Sequence, residues 1–508
     1  MTGEADSDAG AQPSVWRYAM ATRAHLVIDA ADYFDVIRDA MCSARQRIFV
    51  IGWDFDTRIL LSAGRRWWHL PRKGRFPARL GSFVIWLARH TPGLEILILK
   101  WNFSLFKSLF RGTMIIDLLR WLAHPAIRFK FDAAHPLGCS HHQKIVVIDD
   151  KLAACGGIDM TSDRWDTREH IHHDPRRKRP TGSRYDPWHD ATMLMEGDVA
   201  QALAELGRER WQAAGGRDVP PCRPQAESPW PARLEAEFHN VEIGIARTRA
   251  KYGDYDQICE VEALFVEQIA RARKFVYAET QYFASRRIAE AICERLVEPD
   301  PPEFLLINAF TADGWLSQVA MDSARVQLVN AVRQVDHAGR LRIYVPYTSG
   351  GTPIYVHAKI TIFDDEIVRV GSANMNNRSM GLDSECDVFI DTARPANAAV
   401  GPTITRMRHS LLAEHCGIPI EDVAAGLERH GTMAAMIDAL PKTGKHLEPL
   451  RLQVLSDAER ALANGEVLDP ERPEEMFEPI NKRGLFRRPG HLRRIWQNNK
   501  SRLRRWTE

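Results

Sequence analysis

The chain carries one pattern twice. HQKIVVIDDKLAACGGIDM, beginning at His142, aligns without a gap on HAKITIFDDEIVRVGSANM, beginning at His357, at a constant offset of 215 residues. His, Lys, Ile, Asp, Asp, Gly and Met coincide, so the fold has to be built from two copies of one supersecondary unit. The likeness extends upstream, where ARQRIFVIGWDFD (Ala44 to Asp56) and ARARKFVYAETQYF (Ala270 to Phe283) each run from an Ala- and Arg-rich helical stretch into a strand-like segment. Further strands are predicted at Leu94 to Lys100, Phe304 to Asn308 and Leu341 to Val345, and helices at Val199 to Ala213 and Phe265 to Ala272. This alternation predicts an α/β fold.

At 508 residues there is room for two or three domains, each with its own core. The proline-rich interval 216–235 lacks apolar periodicity and reads as a linker with a boundary near residue 225. It separates a first half at 25–215 from a second at 236–415, with a polar segment at 1–24 and an extension at 416–508. Composition is that of a soluble globular chain, 45% hydrophobic and 26% charged, and a net charge of +2 names no partner. The eight cysteines are scattered, without a CxxC pair, and read as reduced, mostly buried thiols. The acidic, polar start is not a secretory signal, and the apolar stretch Trp101 to Ala123 is broken by Lys107, Arg111, Asp117 and Arg120. A cytoplasmic chain without a membrane span is therefore expected.

Each copy reads His-x-Lys-x-x-x-x-Asp: His142, Lys144 and Asp149, then His357, Lys359 and Asp364. On a strand the His and Lys would share a face and the Asp would not. The doubled acidic residues, Asp149-Asp150 and Asp364-Asp365, suggest a turn in which the first carboxylate satisfies local backbone amides. Two imidazoles and two ammonium groups suit phosphodiester cleavage. One imidazole attacks phosphorus, the other protonates the departing oxygen, and the lysines offset charge on the non-bridging oxygens. The scheme needs no metal and no cofactor. Gly157 and the segment around Ser372, Asn374 and Asn376 follow the returning strand, where small and short polar residues let a phosphate approach. Each imidazole also needs an acceptor for its far nitrogen. Asp190 and Glu385 open matching strand-like runs, and in-half pairing assigns Asp190 to His142 and Glu385 to His357.

The duplicated motif followed by a Gly-Gly or Gly-Ser pair resembles the phospholipase D superfamily, over roughly residues 25 to 415. GGIDMTSDRWDT (Gly156 to Thr167), PWHD (Pro187 to Asp190), RERW (Arg208 to Trp211) and ETQYF (Glu279 to Phe283) resemble phosphatidylcholine-type phospholipases D more than cardiolipin synthases or nucleases. The resemblance implies two homologous lobes, each a mixed sheet flanked by helices, with one active site at their pseudo-twofold interface. It also implies a phosphohistidine on His142, with His357 acting as acid and then base. Glycerophospholipids would then yield phosphatidic acid and a free head group, or a new phosphatidyl ester when an alcohol is the acceptor. The competing readings are a cardiolipin-synthase-like phosphatidyltransferase and a nuclease of the same superfamily. One departure is that Asp159 and Thr161 stand where the second copy has Asn374 and Asn376.

Other stretches are plainer. REHIHHDPRRKRP (Arg168 to Pro180) contains an HH pair but no supporting ligand set, and reads as a solvated loop. GRRWWHLPRKGRF (Gly64 to Phe76) and FSLFKSLFRG (Phe103 to Gly112) fit a lipid interface or a core and cleft wall equally well. After the acidic DPERPEEMFE (Asp469 to Glu478), the last 28 residues carry ten Lys or Arg among Leu, Ile, Phe and Trp. That tail suits peripheral attachment to an anionic membrane, although a fold back onto the acidic stretch or non-specific nucleic-acid binding uses the same charges. A monomer acting on phospholipid, and not on nucleic acid, is expected.

Overall fold

Ile145, Val146, Val147 and Ile148 are all buried, and successive side chains enter different apolar clusters, the first and third on one face and the second and fourth on the other. A strand apolar at every position belongs at the centre of a sheet covered on both faces. The computed structural model describes residues 13–62, 76–102, 112–311 and 315–452, with backbone alone for 315–321. The basic tail and almost all of the two aromatic segments lie outside those residues.

The first half contributes β1 (Arg17–Ile28), β2 (Arg47–Gly52), β3 (Glu95–Trp101), β4 (Ile127–Asp132), β5 (Ile145–Ile148), β6 (Leu152–Gly156), β7 (Trp188–His189) and β8 (Ala191–Gly197). The second contributes β9 (Phe238–Arg249), β10 (Ile258–Cys259), β11 (Phe275–Thr280), β12 (Glu303–Asn308), β13 (Leu341–Tyr347), β14 (Tyr355–Val356), β15 (Ile360–Phe363), β16 (Ile367–Gly371), β17 (Glu385–Asp391) and β18 (His446–Pro449). One sheet runs through both, in the order β18-β13-β12-β11-β15-β16-β17-β9-β1-β8-β6-β5-β2-β3-β4, with β10 beside β9. Read outward from the antiparallel β1/β9 pair, the two arms repeat strand for strand.

One core cluster joins the halves on one face of the sheet, beneath the helices Asp198–Ala213 and Gly401–Cys416. The other face carries a separate cluster in each half, under the helices Ala30–Ser43 and Leu80–His90 and under Glu260–Arg271 and Arg286–Leu296. The proline-rich interval is laid along the first half. Lys151 Nζ donates to the carbonyls of Gln225, Ala226 and Glu227 at 2.9–3.1 Å, and Val219 and Trp230 are buried. Beyond residue 416, two short helices lead to β18, which adds an edge strand to β13. All eight cysteines are free thiols, five of them buried. No helix among the described residues is long and apolar enough to cross a membrane.

The Arg168 to Pro180 stretch departs from its reading as a solvated loop. His170, Asp174 and Arg177 turn inward and are buried: Asp166 receives His170 and Arg177, and Asp174 accepts from the amide and guanidinium of Arg176.

Candidate active site

Each motif begins ahead of its strand, since β5 starts at Ile145 and β15 at Ile360. The lead-in segments are extended, and they pair with the opposite half. His141 bridges Ser384, and the His142 amide donates to the Ser384 carbonyl at 2.9 Å. In mirror fashion β14 pairs in parallel with β7, and the His357 amide donates to the His189 carbonyl at 2.8 Å. Ser384 and His189 immediately precede Glu385 and Asp190.

The in-half assignment of the carboxylates is therefore overturned. His142 Nδ1 lies 3.0 Å from Glu385 Oε2, and His357 Nδ1 lies 2.7 Å from Asp190 Oδ2. The pairs cross because each lead-in docks on the strand start of the other half, which sequence register within a half does not reveal. Both carboxylates are fully buried, while the two imidazole side chains keep 15% and 7% of their surface. With Nδ1 occupied, Nε2 is the nitrogen each ring offers to a reacting group.

Ser372 and Gly157, equivalent under the repeat, both serve these carboxylates. Ser372 Oγ donates to Glu385 Oε2 at 2.5 Å, and Ser379 Oγ donates to Glu385 Oε1 at 2.7 Å. A Cβ on Gly157 would lie 2.1 Å from Asp190 Oδ1, so only glycine admits that carboxylate. Asn376 Oδ1 caps the following turn by accepting from the Ser379 amide at 3.2 Å. Asn374 is buried with no hydrogen-bond partner for Oδ1. In the first half Asp159 replaces it, accepting from the Trp53 amide at 3.0 Å and lying 3.3 Å from Lys144 Nζ. Thr161 Oγ1 donates to Asp54 at 2.8 Å.

The motif aspartates stand at the hairpin turns, where Asp149 and Asp150 have φ of 54° and 52°, and Asp364 and Asp365 have 53° and 58°. Two successive left-handed residues open a three-residue connection, a tight turn of the kind Asp tolerates. The amides these aspartates satisfy are not local. Asp149 accepts from the amides of Arg45, Gln46 and Arg47 at 2.7 Å each, and Asp364 from those of Arg273, Lys274 and Phe275 at 2.5–2.8 Å. Each thus ties the motif hairpin to the start of β2 or β11 and acts through position rather than contact with a reacting group.

Lys144 and Lys359 donate to the carbonyls of His142 and His357, the first at 2.8 Å. Burial pulls the Lys359 ammonium down to about 7 against the pull of Asp190, with Lys144 adding repulsion. Burial, then Lys144 and Lys359, holds His142 well below the ordinary histidine range; burial, then Lys359 and Arg164, does the same for His357. Burial also pushes Glu385 up to about 8 and raises Asp190. Burial and the neighbouring cations thus favour the uncharged imidazole, the form a nucleophile needs.

Arg164 and Trp188 were not singled out by the motif. The Arg164 guanidinium lies 4.1 Å from the Trp188 ring centre, its Nε has no hydrogen-bond partner, and the ring of His357 is 5.1 Å from that of Trp188. The repeat gives no signal for Arg164, since its equivalent in the second copy is Ser379.

Two lobes on one sheet, with a paired His and Lys from each and the rings held by carboxylates of the opposite lobe, define a pseudo-dimeric α/β protein with a single composite two-histidine site. A family model for phospholipase D matches residues 315–439. Phospholipase D alpha 1 of Zea mays is 24% identical over 526 residues, spanning 76% of this chain and 63% of that protein. Phospholipase D1 of Saccharomyces cerevisiae is 24% identical over 502 residues, spanning 78% of this chain but 29% of its own. Among solved structures, phosphatidylserine synthase of Haemophilus influenzae shares the fold with a TM-score of 0.52 at 13% identity, over 83% of this chain and 96% of the other. The chain is thus similar to phospholipases D over about three quarters of its length, and it spans less than two thirds of those relatives.

Proposed function

We propose that the protein is a phosphodiesterase that cleaves glycerophospholipids at the head-group side of the phosphate, through a phosphohistidine on His142. The observation that carries this reading is the crossed pairing itself. Each imidazole is buried at its Nδ1 side and held there by a carboxylate that stabilises the ring whenever it is charged, so that His142 can enter the cycle neutral and His357 as the imidazolium.

In the first step His142 Nε2 attacks phosphorus while His357, protonated on Nε2, donates its proton to the leaving alcohol oxygen. Lys144 and Lys359 stabilise charge on the non-bridging oxygens, and Arg164, whose charge bears on His357, shares that work. In the second step neutral His357 takes a proton from water or an alcohol as its oxygen attacks phosphorus and the P–N bond to His142 breaks. Water gives phosphatidic acid, and an alcohol gives a phosphatidyl ester. Phospholipid is the class that the relatives' name, phospholipase D, supports. The same reading takes the chain to be a monomer in the cytoplasm, with the basic tail as its membrane contact.

The test is to incubate the full chain with phosphatidylcholine, phosphatidylethanolamine and phosphatidylserine, with and without a primary alcohol, and to identify products by mass spectrometry. Phosphatidic acid, converted to phosphatidyl-alcohol when alcohol is added, is the expected result. Transfer with no hydrolysis points to a phosphatidyltransferase, and cleavage of single-stranded DNA without lipid turnover points to a nuclease.

A further inference from the structure

Outside the two-histidine site, four buried side chains converge from four separate elements: Asp29 beyond the end of β1, His170 in the loop after β6, His189 in β7 and Glu414 in the helix Gly401–Cys416. We infer that these four residues bind one divalent transition-metal ion, zinc by ligand type, as a structural centre beneath Asp190.

The spacing fits. His189 Nδ1 lies 2.9 Å from Glu414 Oε1 and 3.4 Å from Asp29 Oδ1, while His170 Nε2 lies 3.2 Å from Glu414 Oε1 and 3.5 Å from Asp29 Oδ2. A tetrahedral ion with bonds of about 2.0–2.1 Å needs ligand atoms about 3.3–3.5 Å apart. The outer atoms fit as well. His170 Nδ1 is 3.0 Å from Asp166 Oδ2 and His189 Nε2 is 2.8 Å from Glu279 Oε2. A carboxylate behind each imidazole holds the ring proton on the outer nitrogen and turns the inner lone pair towards a metal. Glu414 keeps its other oxygen on Arg168 at 2.5 Å, and Asp29 Oδ1 accepts from the Asp190 amide at 3.1 Å.

An ion-pair network with doubly protonated histidines is the competing arrangement, and it fits less well. His189 Nδ1 makes no hydrogen bond to either nearby oxygen, and Asp29 Oδ2 has no hydrogen-bond partner at all, although both atoms are buried. Four carboxylates, Asp29, Asp166, Glu279 and Glu414, meet here. Arg168 and Arg177 are bonded to two of them, and Lys445 is bonded to the Arg168 carbonyl instead. A divalent cation between neutral imidazoles supplies the same two positive charges as two protonated rings would, and places them where the unpartnered inner atoms meet. Two imidazole nitrogens and two carboxylate oxygens suit zinc or a neighbouring first-row ion, whereas calcium and magnesium take all-oxygen sets. The ion would not touch the reacting phosphate. It would fix Asp29 and His189, which hold the amide of Asp190 and precede it in the chain, and so would set the position of the carboxylate that orients His357.

The experiment is metal analysis of the full chain, purified without chelator and dialysed against zinc, followed by cobalt substitution. About one zinc per chain is expected, together with visible absorption of tetrahedral cobalt after exchange. Asp29→Asn and His170→Gln should lower metal content about tenfold or more, while His172→Gln with His173→Gln should leave it unchanged. Folded wild-type protein with less than about 0.1 metal per chain after zinc dialysis would overturn the inference in favour of the ion-pair network. So would metal that follows His172 and His173. Should the Asp29 or His170 variants fail to fold, the wild-type stoichiometry and cobalt spectrum decide alone.

Discussion

The crossed carboxylates make the two histidines separable by experiment. In Asp190→Asn the 2.7 Å contact to His357 Nδ1 loses its charge in a fully buried setting. A charge-assisted hydrogen bond is worth about 1.5–3 kcal/mol, and the imidazolium that forms during proton transfer loses its counter-charge besides. General acid–base catalysis contributes about 10²–10⁴-fold, equivalent to about 2.7–5.5 kcal/mol, and that is the expected loss with ordinary alkyl head groups. A phosphatidyl nitrophenyl ester has a leaving group that departs without protonation. On that substrate Asp190→Asn should release a rapid burst of nitrophenol close to one equivalent of enzyme, followed by slow turnover as water attack on the phosphohistidine stalls. Glu385→Gln, which disables His142, should show no burst. Stopped-flow absorbance measures both. A burst in Glu385→Gln and none in Asp190→Asn would refute either the crossed geometry or the assignment of nucleophile and acid; acid-labile phosphate mapped to His142 or to His357 in the trapped protein distinguishes those two failures.

Lys359 has a folded pKa of about 7, below its unfolded value, so it loses its proton as pH rises through 7, and kcat/KM should fall along that limb if its charge is needed. Lys359→Arg, which cannot lose its charge, should move the limb upward even though it lowers the maximum. The same depression means that the folded state binds fewer protons than the unfolded one between about 7 and 10.5, so this group's contribution to stability rises across that window and its cost is greatest below it. Gly157→Ala should cut turnover by about tenfold or more and lower stability by about 1–3 kcal/mol, since the new methyl meets buried Asp190 and crowds the His357 carbonyl. Asp364→Asn should instead lower stability by about 2–4 kcal/mol in denaturant titration, because three amides at the start of β11 lose a charged acceptor, with substrate affinity of the remaining folded protein unaltered.

What the sequence made legible follows from what repeats. The duplication pointed to the two arms of the sheet, the hairpins at Asp149-Asp150 and Asp364-Asp365, and the histidines and lysines beside them, because register and turn chemistry are local properties. The strands predicted at Leu94, Phe304 and Leu341 fall on β3, β12 and β13. The carboxylate pairing was not legible, since Asp190 and Glu385 occupy equivalent places and either histidine is a plausible partner until the lead-in segments are seen to dock across the interface. The distant amides bound by the motif aspartates were hidden for the same reason, being about a hundred residues away along the chain. His170 was masked by its neighbours: two further histidines and a run of arginines gave the stretch a polar composition, and composition does not say which side chains turn inward.

The crossing also bears on how the two copies can diverge. In a symmetric pair of identical chains every substitution would strike both sites of contact at once, and a change that suits a nucleophile would be imposed on the acid. Fusion on one polypeptide lifts that restriction. Glycine meets aspartate on one side and serine meets glutamate on the other, while Asp159 and Asn374 occupy equivalent positions with different charge. Yet neither half became self-sufficient, because each still lends the other the carboxylate its histidine leans on. On the proposed mechanism the two copies are thereby locked together, since a lesion in either arm removes a histidine from one half and the carboxylate that the other half's histidine leans on.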